Sequence, residues 1–310
     1  MVAWFHELPD TAAAGGKGAS LSRMAQEGLP VPPGFVVCAS AFASFIDESG
    51  VRAVIASAVA GLDVYNDDAL APAARTIQSA IAEAPMPVGL GDSIRLAYEA
   101  MGEATRVAVR SSAVGEDGEA ASFAGQQETF LNVRGAEAVL HCVRECWASF
   151  FSPRAMFYRA EKGDLTDTRM AVVVQEMILA DRSGVMFTVD PVNKTREHMV
   201  MEAVFGLGEG IVSGMITPDH YMVERATGSI VREFIPRQPL AVVHNPEGGT
   251  MEVKLGEAEG AQRVLAAAQL DHLREVGVRL EALFGSPQDI EWCLREGELF
   301  ILQSRPITNL

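Results

Sequence analysis

A mixed α/β fold of the α+β kind follows from three observations on the 310-residue sequence. The run "MAVVVQEMI" (170–178) is β-branched and continuous, as a buried strand requires. Residues from about 50 to 104 are alanine-rich and spaced like helices. From residue 183 onward, short apolar segments separated by Gly, Pro and Asp read as antiparallel hairpins with helices outside them.

The elements follow in order. Gly15 and Gly16 open a helical segment over 17–27, with Leu21, Met24 and Ala25 on one side and Gly28 and Pro30 ending it. "PPGFVV" turns into a strand. Ser40 is placed to cap a short helix over 41–48. The helical stretch that follows is broken at Pro72, Pro85 and Pro87. "RVAVRSS" (106–112) is a strand, and a long loop of small residues leads to a second, "ETFLNV" (128–133). Residues 136–160 read as helix. After the buried run come strands at "SGVMFTVD", "EHMVMEAVFG", "HYMVER" and "GSIVREFI", then a helix over about 259–284. Two last strands, "QDIEWCLRE" and "ELFILQS", are joined around Gly297. The best hinge is 175–179, between the buried strand and the hairpins.

Composition narrows the function classes. Apolar residues are 48% and charged residues 21%, an ordinary globular balance. The net charge of −16 opposes general binding to nucleic acid or anionic lipid. It leaves room for an anionic ligand held by a few local cations and N–H groups. No run approaches the roughly 20 apolar residues of a membrane helix, and the N-terminus lacks a signal-peptide pattern. Cys38, Cys142, Cys146 and Cys293 form no CxxC pair, so reduced, buried thiols and a cytoplasmic location are expected.

Several stretches carry chemistry. Gly15, Gly16, Lys17 and Gly18 are glycine-rich around a lysine but do not make a P-loop, because Gly18 stands where Ser or Thr should follow the lysine. The turn over 206–210 resembles a dinucleotide turn, but its third glycine comes one residue early and no clear helix follows. "SFAGQQET" (122–129) suits a loop folded over phosphates or a plain hairpin loop. Arg110 ends a strand, where its planar fork of donors suits phosphate. Gln175 and Glu176 end the buried strand, and such an edge suits adenine, with N6 a donor and N1 an acceptor. Glu291 and Gln303 lie on the two arms of the final hairpin and both offer oxygen, as Mg²⁺ prefers. Arg305 lies two residues beyond Gln303, on the same face. An ordinary Glu–Arg surface pair is the plain alternative there.

Six segments together resemble one family, the N-terminal nucleotide-binding domain of phosphoenolpyruvate synthase, pyruvate phosphate dikinase and rifampicin phosphotransferase. They are "GGKGASLSRMAQEGLPVPPGFVV", "VRSSAVGEDGEAASFAGQQETFLNV", "VVVQEMI", "SGVMFTVDP", "EAVFGLGEGIVSGMITPDHY" and "DIEWCLREGELFILQSRP". They run in family order from residue 15 to 306, leaving only about 40–104 without a distinctive match.

The resemblance implies an ATP-grasp fold in two lobes, here 1–178 and 179–310, clamping ATP between them. It implies that Lys17 and Arg110 contact phosphates and that the loop with Gly125, Gln126 and Thr129 covers them. Gln175, Glu176, Met177 and Ile178 would hold adenine, with Glu176 and Ile178 offering main-chain groups. Glu202 and the 206–210 turn, including Gly208, would line the site, with Glu209 toward the ribose. Glu291 and Gln303 would ligate Mg²⁺, and Arg305 would stabilise charge on the transferred phosphate. In the family a histidine on a separate swivelling domain takes phosphate from ATP and carries it to an acceptor on a third domain. None of His6, His141, His198, His220, His244 or His272 sits in a carrier-type loop. The carrier domain is therefore expected elsewhere, as a partner in trans or a further part of a longer chain, with a small-molecule final acceptor. A regulatory nucleotide-binding module and an ADP-forming ligase are the alternatives.

Overall fold

The computed structural model describes residues 1–7, 10–113, 128–161, 165 and 169–308. The chain forms two compact units, one of Met1–Arg23 with Pro33–Met177 and the other of Met24–Pro32 with Ile178–Leu310.

The first unit contains β1 (Val2–Trp4), α1 (Thr11–Gln26, whose last residues belong to the second unit) and β2 (Gly34–Val37). Helices α2 (Ala39–Glu48), α3 (Val51–Val59), α4 (Asp67–Glu83) and α5 (Val88–Met101) follow. β3 (Arg106–Ala113), β4 (Thr129–Arg134), α6 (Ala136–Ser149), α7 (Pro153–Glu161) and β5 (Met170–Glu176) complete it. The strands form one antiparallel sheet in the order β1-β2-β5-β3-β4. Phe35, Val37, Val107, Val109, Val172 and Val174 enter a core shared with α2 to α7, in which the Phe42 and Trp147 rings stack at 5.1 Å. The strand period of two sends Val36, Ala108, Arg110, Ser112, Val173 and Gln175 to the opposite face.

The second unit contains β6 (Arg182–Phe187), β7 (His198–Phe205), α8 (Glu209–Val212), β8 (Asp219–Glu224) and β9 (Ile230–Phe234). β10 (Leu240–His244), β11 (Thr250–Lys254), α9 (Glu257–Gly260), α10 (Ala267–Phe284), β12 (Gln288–Arg295) and β13 (Glu298–Pro306) follow. Its main sheet runs β13-β12-β6-β7-β8-β9, antiparallel throughout, and β10 and β11 form a separate two-stranded sheet. Ile290, Trp292, Met186, Met201, Tyr221 and Val223 are buried on one face, where α10 packs: a Cβ on its Gly277 would stand 3.0 Å from Met186 Cε. The residues between them are mostly half-exposed. The segment Met24–Pro32 is tied to this unit by Ile301 N–H donating to the Pro30 carbonyl at 2.8 Å.

Some boundaries differ from expectation, each for a local reason. α1 starts at Thr11, because Asp10 Oδ1 accepts from Ala13 N–H at 2.8 Å and gives the alanines a start. Ser40 lies inside α2, whose cap residue is Cys38. Pro72 is absorbed within α4 rather than ending it. The helix expected over 136–160 breaks at 150–152 into α6 and α7. The helix expected from about 259 begins at Ala267, because Val264 and Leu265 N–H groups turn to Asp219 and Tyr221. A one-turn helix, α8, does follow the 206–210 turn.

Candidate functional site

In the first unit the glycine stretch is shaped by Ser112. The Ser112 hydroxyl donates to the Ala14 carbonyl at 2.8 Å and accepts from Gly18 N–H at 3.2 Å. Gly15 has φ +67°, and a Cβ there would lie 2.3 Å from the Ser112 carbonyl oxygen, so only glycine fits. The kink this makes in α1 brings Lys17 Nζ to 3.2 Å from the Ser111 carbonyl. Arg110, the neighbour of Ser111 on β3, is buried and stands opposite Thr129 of β4 and Val173 of β5. Lys17 thus reaches the backbone of the residue next to Arg110, and Thr129 stands opposite Arg110. Gly125 and Gln126 lie outside the described residues.

Gln175 is on that same sheet face, 1% exposed, and its Nε2 has no hydrogen-bond partner among the described residues. An orphaned buried amide is costly and asks for a ligand or water. Glu176 N–H donates to the Pro33 carbonyl at 2.8 Å. Proline has no N–H to return, so the chemistry of residue 33 leaves the Glu176 carbonyl an acceptor. Met177 ends the first unit, with its N–H donated to the Arg106 carbonyl at 2.8 Å. Ile178 begins the second unit, and its carbonyl accepts from Ala180 N–H at 2.9 Å.

In the second unit the register lines up polar residues. Gln303 stands directly opposite Glu291, Glu291 opposite Val185, Val185 opposite Glu202, and Glu202 opposite His220. Residues opposite one another share a face, so one row across five strands carries an amide, two carboxylates and an imidazole away from the α10 side. Glu291 and Glu202 are two strands apart, about 10 Å between backbones. Arg305 is on the same face but engages Asp289, which no sequence motif marks. Its Nε and Nη2 contact Asp289 Oδ2 at 2.8 and 2.7 Å. Asp289 is two before Glu291 and, beyond a bulge between Glu291 and Trp292, stands opposite Arg305. Burial pushes the Asp289 carboxyl up, the Arg305 charge and hydrogen bond pull it back, and Glu291 pushes it up again.

The glycine turn is anchored on β10. Gly206 has φ +76°, and a Cβ would strike the Val242 carbonyl at 2.2 Å. Leu207 N–H donates to Val242 at 2.7 Å, and Gly208 passes over Ser183. Glu209 Oε2 accepts from the Thr250 hydroxyl at 2.7 Å.

The described residues contain no group of three or more His, Cys, Asp or Glu able to cage a metal. The Glu291–Gln303 pair still fits Mg²⁺, which needs only one or two protein oxygens when phosphates and water complete its shell. None of the four cysteines forms a disulfide, and all four are buried. Burial raises Cys142 to about 11 and Cys146 well above its ordinary value, so both remain thiols. No helix among the described residues is long and apolar enough to cross a membrane.

Helices packed on antiparallel sheets make this a mixed α/β protein. The chain belongs to the family of the pyruvate phosphate dikinase AMP/ATP-binding domain, whose model matches residues 11–310. It is 44% identical over 317 residues to a probable phosphoenolpyruvate synthase of Methanocaldococcus jannaschii, matching 100% of this chain and 27% of that one. It is 38% identical to the phosphoenolpyruvate synthase of Pyrococcus furiosus, matching 100% and 44%. A rifampicin phosphotransferase of Bacillus cereus is 37% identical, matching 99% and 36%. The chain thus spans less than half the length of these relatives.

Proposed function

We propose that the chain binds Mg·ATP in an ATP-grasp manner and serves the nucleotide half-reaction of a dikinase-type phosphotransferase. The observation that carries this reading is the in-register pairing of Glu291 with Gln303, with Arg305 two residues away on the same face. Family membership and the relatives named phosphoenolpyruvate synthase support it.

Residue chemistry assigns the parts. Lys17 and Arg110 hold phosphate oxygens, Arg110 through its planar fork. The Glu176 carbonyl accepts from the adenine amino group, the Ile178 N–H donates to the ring, and Gln175 offers its orphaned amide. Thr129, Glu202, Gly208 and Glu209 line the nucleotide, although Glu209 must leave or share Thr250 to reach a ribose. Glu291 and Gln303 hold Mg²⁺, which neutralises phosphate oxygens when bound. Arg305, oriented by Asp289, stabilises charge as the pyrophosphoryl group leaves AMP.

The acceptor in this reading is a histidine on another domain or subunit. Its ring nitrogen attacks the β-phosphorus and AMP departs; water then takes the γ-phosphoryl group as inorganic phosphate, leaving the β-phosphate on the imidazole. A small molecule takes that phosphate at a further site. Incubation with Mg·ATP and a separately produced carrier-histidine domain should yield AMP and phosphohistidine. ADP as product would point instead to a ligase, and binding without turnover to a regulatory module.

A further inference from the structure

The end of β5 is held by an arrangement that phosphate chemistry does not explain. One residue of β4 is buried, and it is polar: Asn132, 2% exposed. Its φ is +59°, in the left-handed region that asparagine tolerates better than most residues. It lies in a β-bulge, where Leu131 and Asn132 oppose the single Ala108 between the Val107–Val133 and Val109–Phe130 pairs. Asn132 N–H donates to Met177 Sδ at 2.9 Å. Asn132 Oδ1 accepts from Arg106 Nη1 at 2.7 Å, and the Arg106 carbonyl accepts from Met177 N–H at 2.8 Å. Arg106 of β3 and Asn132 of β4 thus close a ring with Met177, the residue that follows β5.

A thioether is a weak acceptor, and an ordinary sheet end needs neither a bulge nor a left-handed asparagine. Uncommon backbone geometry fixed by its surroundings marks places where position matters. What this ring fixes is the adjacent Glu176, whose carbonyl Pro33 leaves as an acceptor. We propose that Asn132 and Met177 are positioning residues for the purine base. They hold the Glu176 carbonyl where it accepts from the amino group of adenine and repels the ring carbonyl that guanine carries there. This rests on the proposed placement of the base at Glu176.

The test is calorimetric binding of Mg·ATP, Mg·GTP and Mg·tripolyphosphate. Met177→Leu keeps the volume and removes the sulfur acceptor from the ring. With the Glu176 carbonyl no longer held in line, its hydrogen bond to the base weakens, and a loss of about one hydrogen bond shifts an equilibrium about tenfold, so ATP affinity should fall about tenfold and the ATP-over-GTP preference should narrow. Tripolyphosphate, which has no base, should bind as in the parent. Asn132→Ala forces a Cβ residue without local side-chain support into the left-handed region, whereas Asn132→Gly enters it freely and keeps the N–H. The glycine variant should therefore recover most of the ATP affinity that the alanine variant loses, and this comparison decides the matter if Met177→Leu does not fold. Unchanged ATP affinity and preference in Met177→Leu, equal loss of tripolyphosphate, or equal behaviour of the two Asn132 variants overturns the inference. A parent that binds tripolyphosphate but does not prefer ATP also overturns it while leaving the phosphate reading standing. A parent that binds none of the three overturns both.

Discussion

Arg305 is the side chain whose removal should most clearly separate chemistry from binding. It is half-exposed and held at one oxygen of Asp289, so its loss leaves the sheet intact. Arg305→Ala should lower AMP formation about 10³-fold, by analogy with other guanidinium groups that act on a transferring phosphate. ATP affinity should change far less; equal falls in both would make Arg305 a binding residue only. A different residue carries the pH dependence. Asp219 is fully buried and accepts from Tyr221 O–H at 2.7 Å, Val264 N–H at 2.8 Å and Gln238 Nε2 at 3.2 Å. Burial nevertheless raises its carboxyl above 3.8, against those hydrogen bonds and the Arg263 charge. A raised folded value means the native state holds the extra proton. The contribution to stability is complete below 3.8 and is lost as pH rises through the raised value. Asp219→Asn cannot titrate, so in urea melts its stability should fall less than the parent's as pH rises through that window.

At the scale of elements, the central strands were legible because their residues alternate or run β-branched, and pairing left little freedom. The hairpin around Gly297 was legible for the same reason, but its regular register would set Glu291 opposite Leu302, and a bulge between Glu291 and Trp292 brings Gln303 there instead. β1, β10 and β11 escaped because they are three to five residues long, and β11 is largely exposed, so hydrophobic pattern says little about it. Asp289 and the Asn132 bulge escaped because side-chain partners and left-handed backbone are settled by neighbouring strands, which the local sequence does not name. Gly184 shows how an element can depend on a missing atom. A Cβ there would stand 1.9 Å from the Glu202 carbonyl oxygen and 2.4 Å from the Trp292 ring. Neither a ladder carbonyl nor a buried indole yields cheaply, so Gly184→Ala should cost about 1–3 kcal/mol or more by overpacking. Chemical denaturation would show it as a lowered midpoint; an unchanged midpoint would mean that β6 can slide away from β7 and β12.

For the whole molecule, the relevant contrast is between a net charge of −16 and a polyanionic ligand. Unscreened, such a charge repels ATP, and in the proposed reading Lys17 with Arg110 supplies only local compensation. A divalent ion shared by Glu291, Gln303 and the phosphates would change that balance, because it would cancel ligand charge and protein charge together. Heating the entire chain reads this directly, since a ligand bound only to the folded state stabilises by about 2.7 kcal/mol at a hundred times its dissociation constant. ATP with a chelator should raise the melting temperature little, and ATP with Mg²⁺ should raise it by several degrees. In Glu291→Ala the Mg²⁺-dependent increment should disappear while the smaller chelator-resistant increment from Lys17 and Arg110 persists. Lys17→Ala should do the reverse in part, reducing both. If Glu291→Ala retained the full Mg²⁺ increment, the ion would have to be held elsewhere, and the row of Gln303, Glu291, Glu202 and His220 would lose its assigned chemistry.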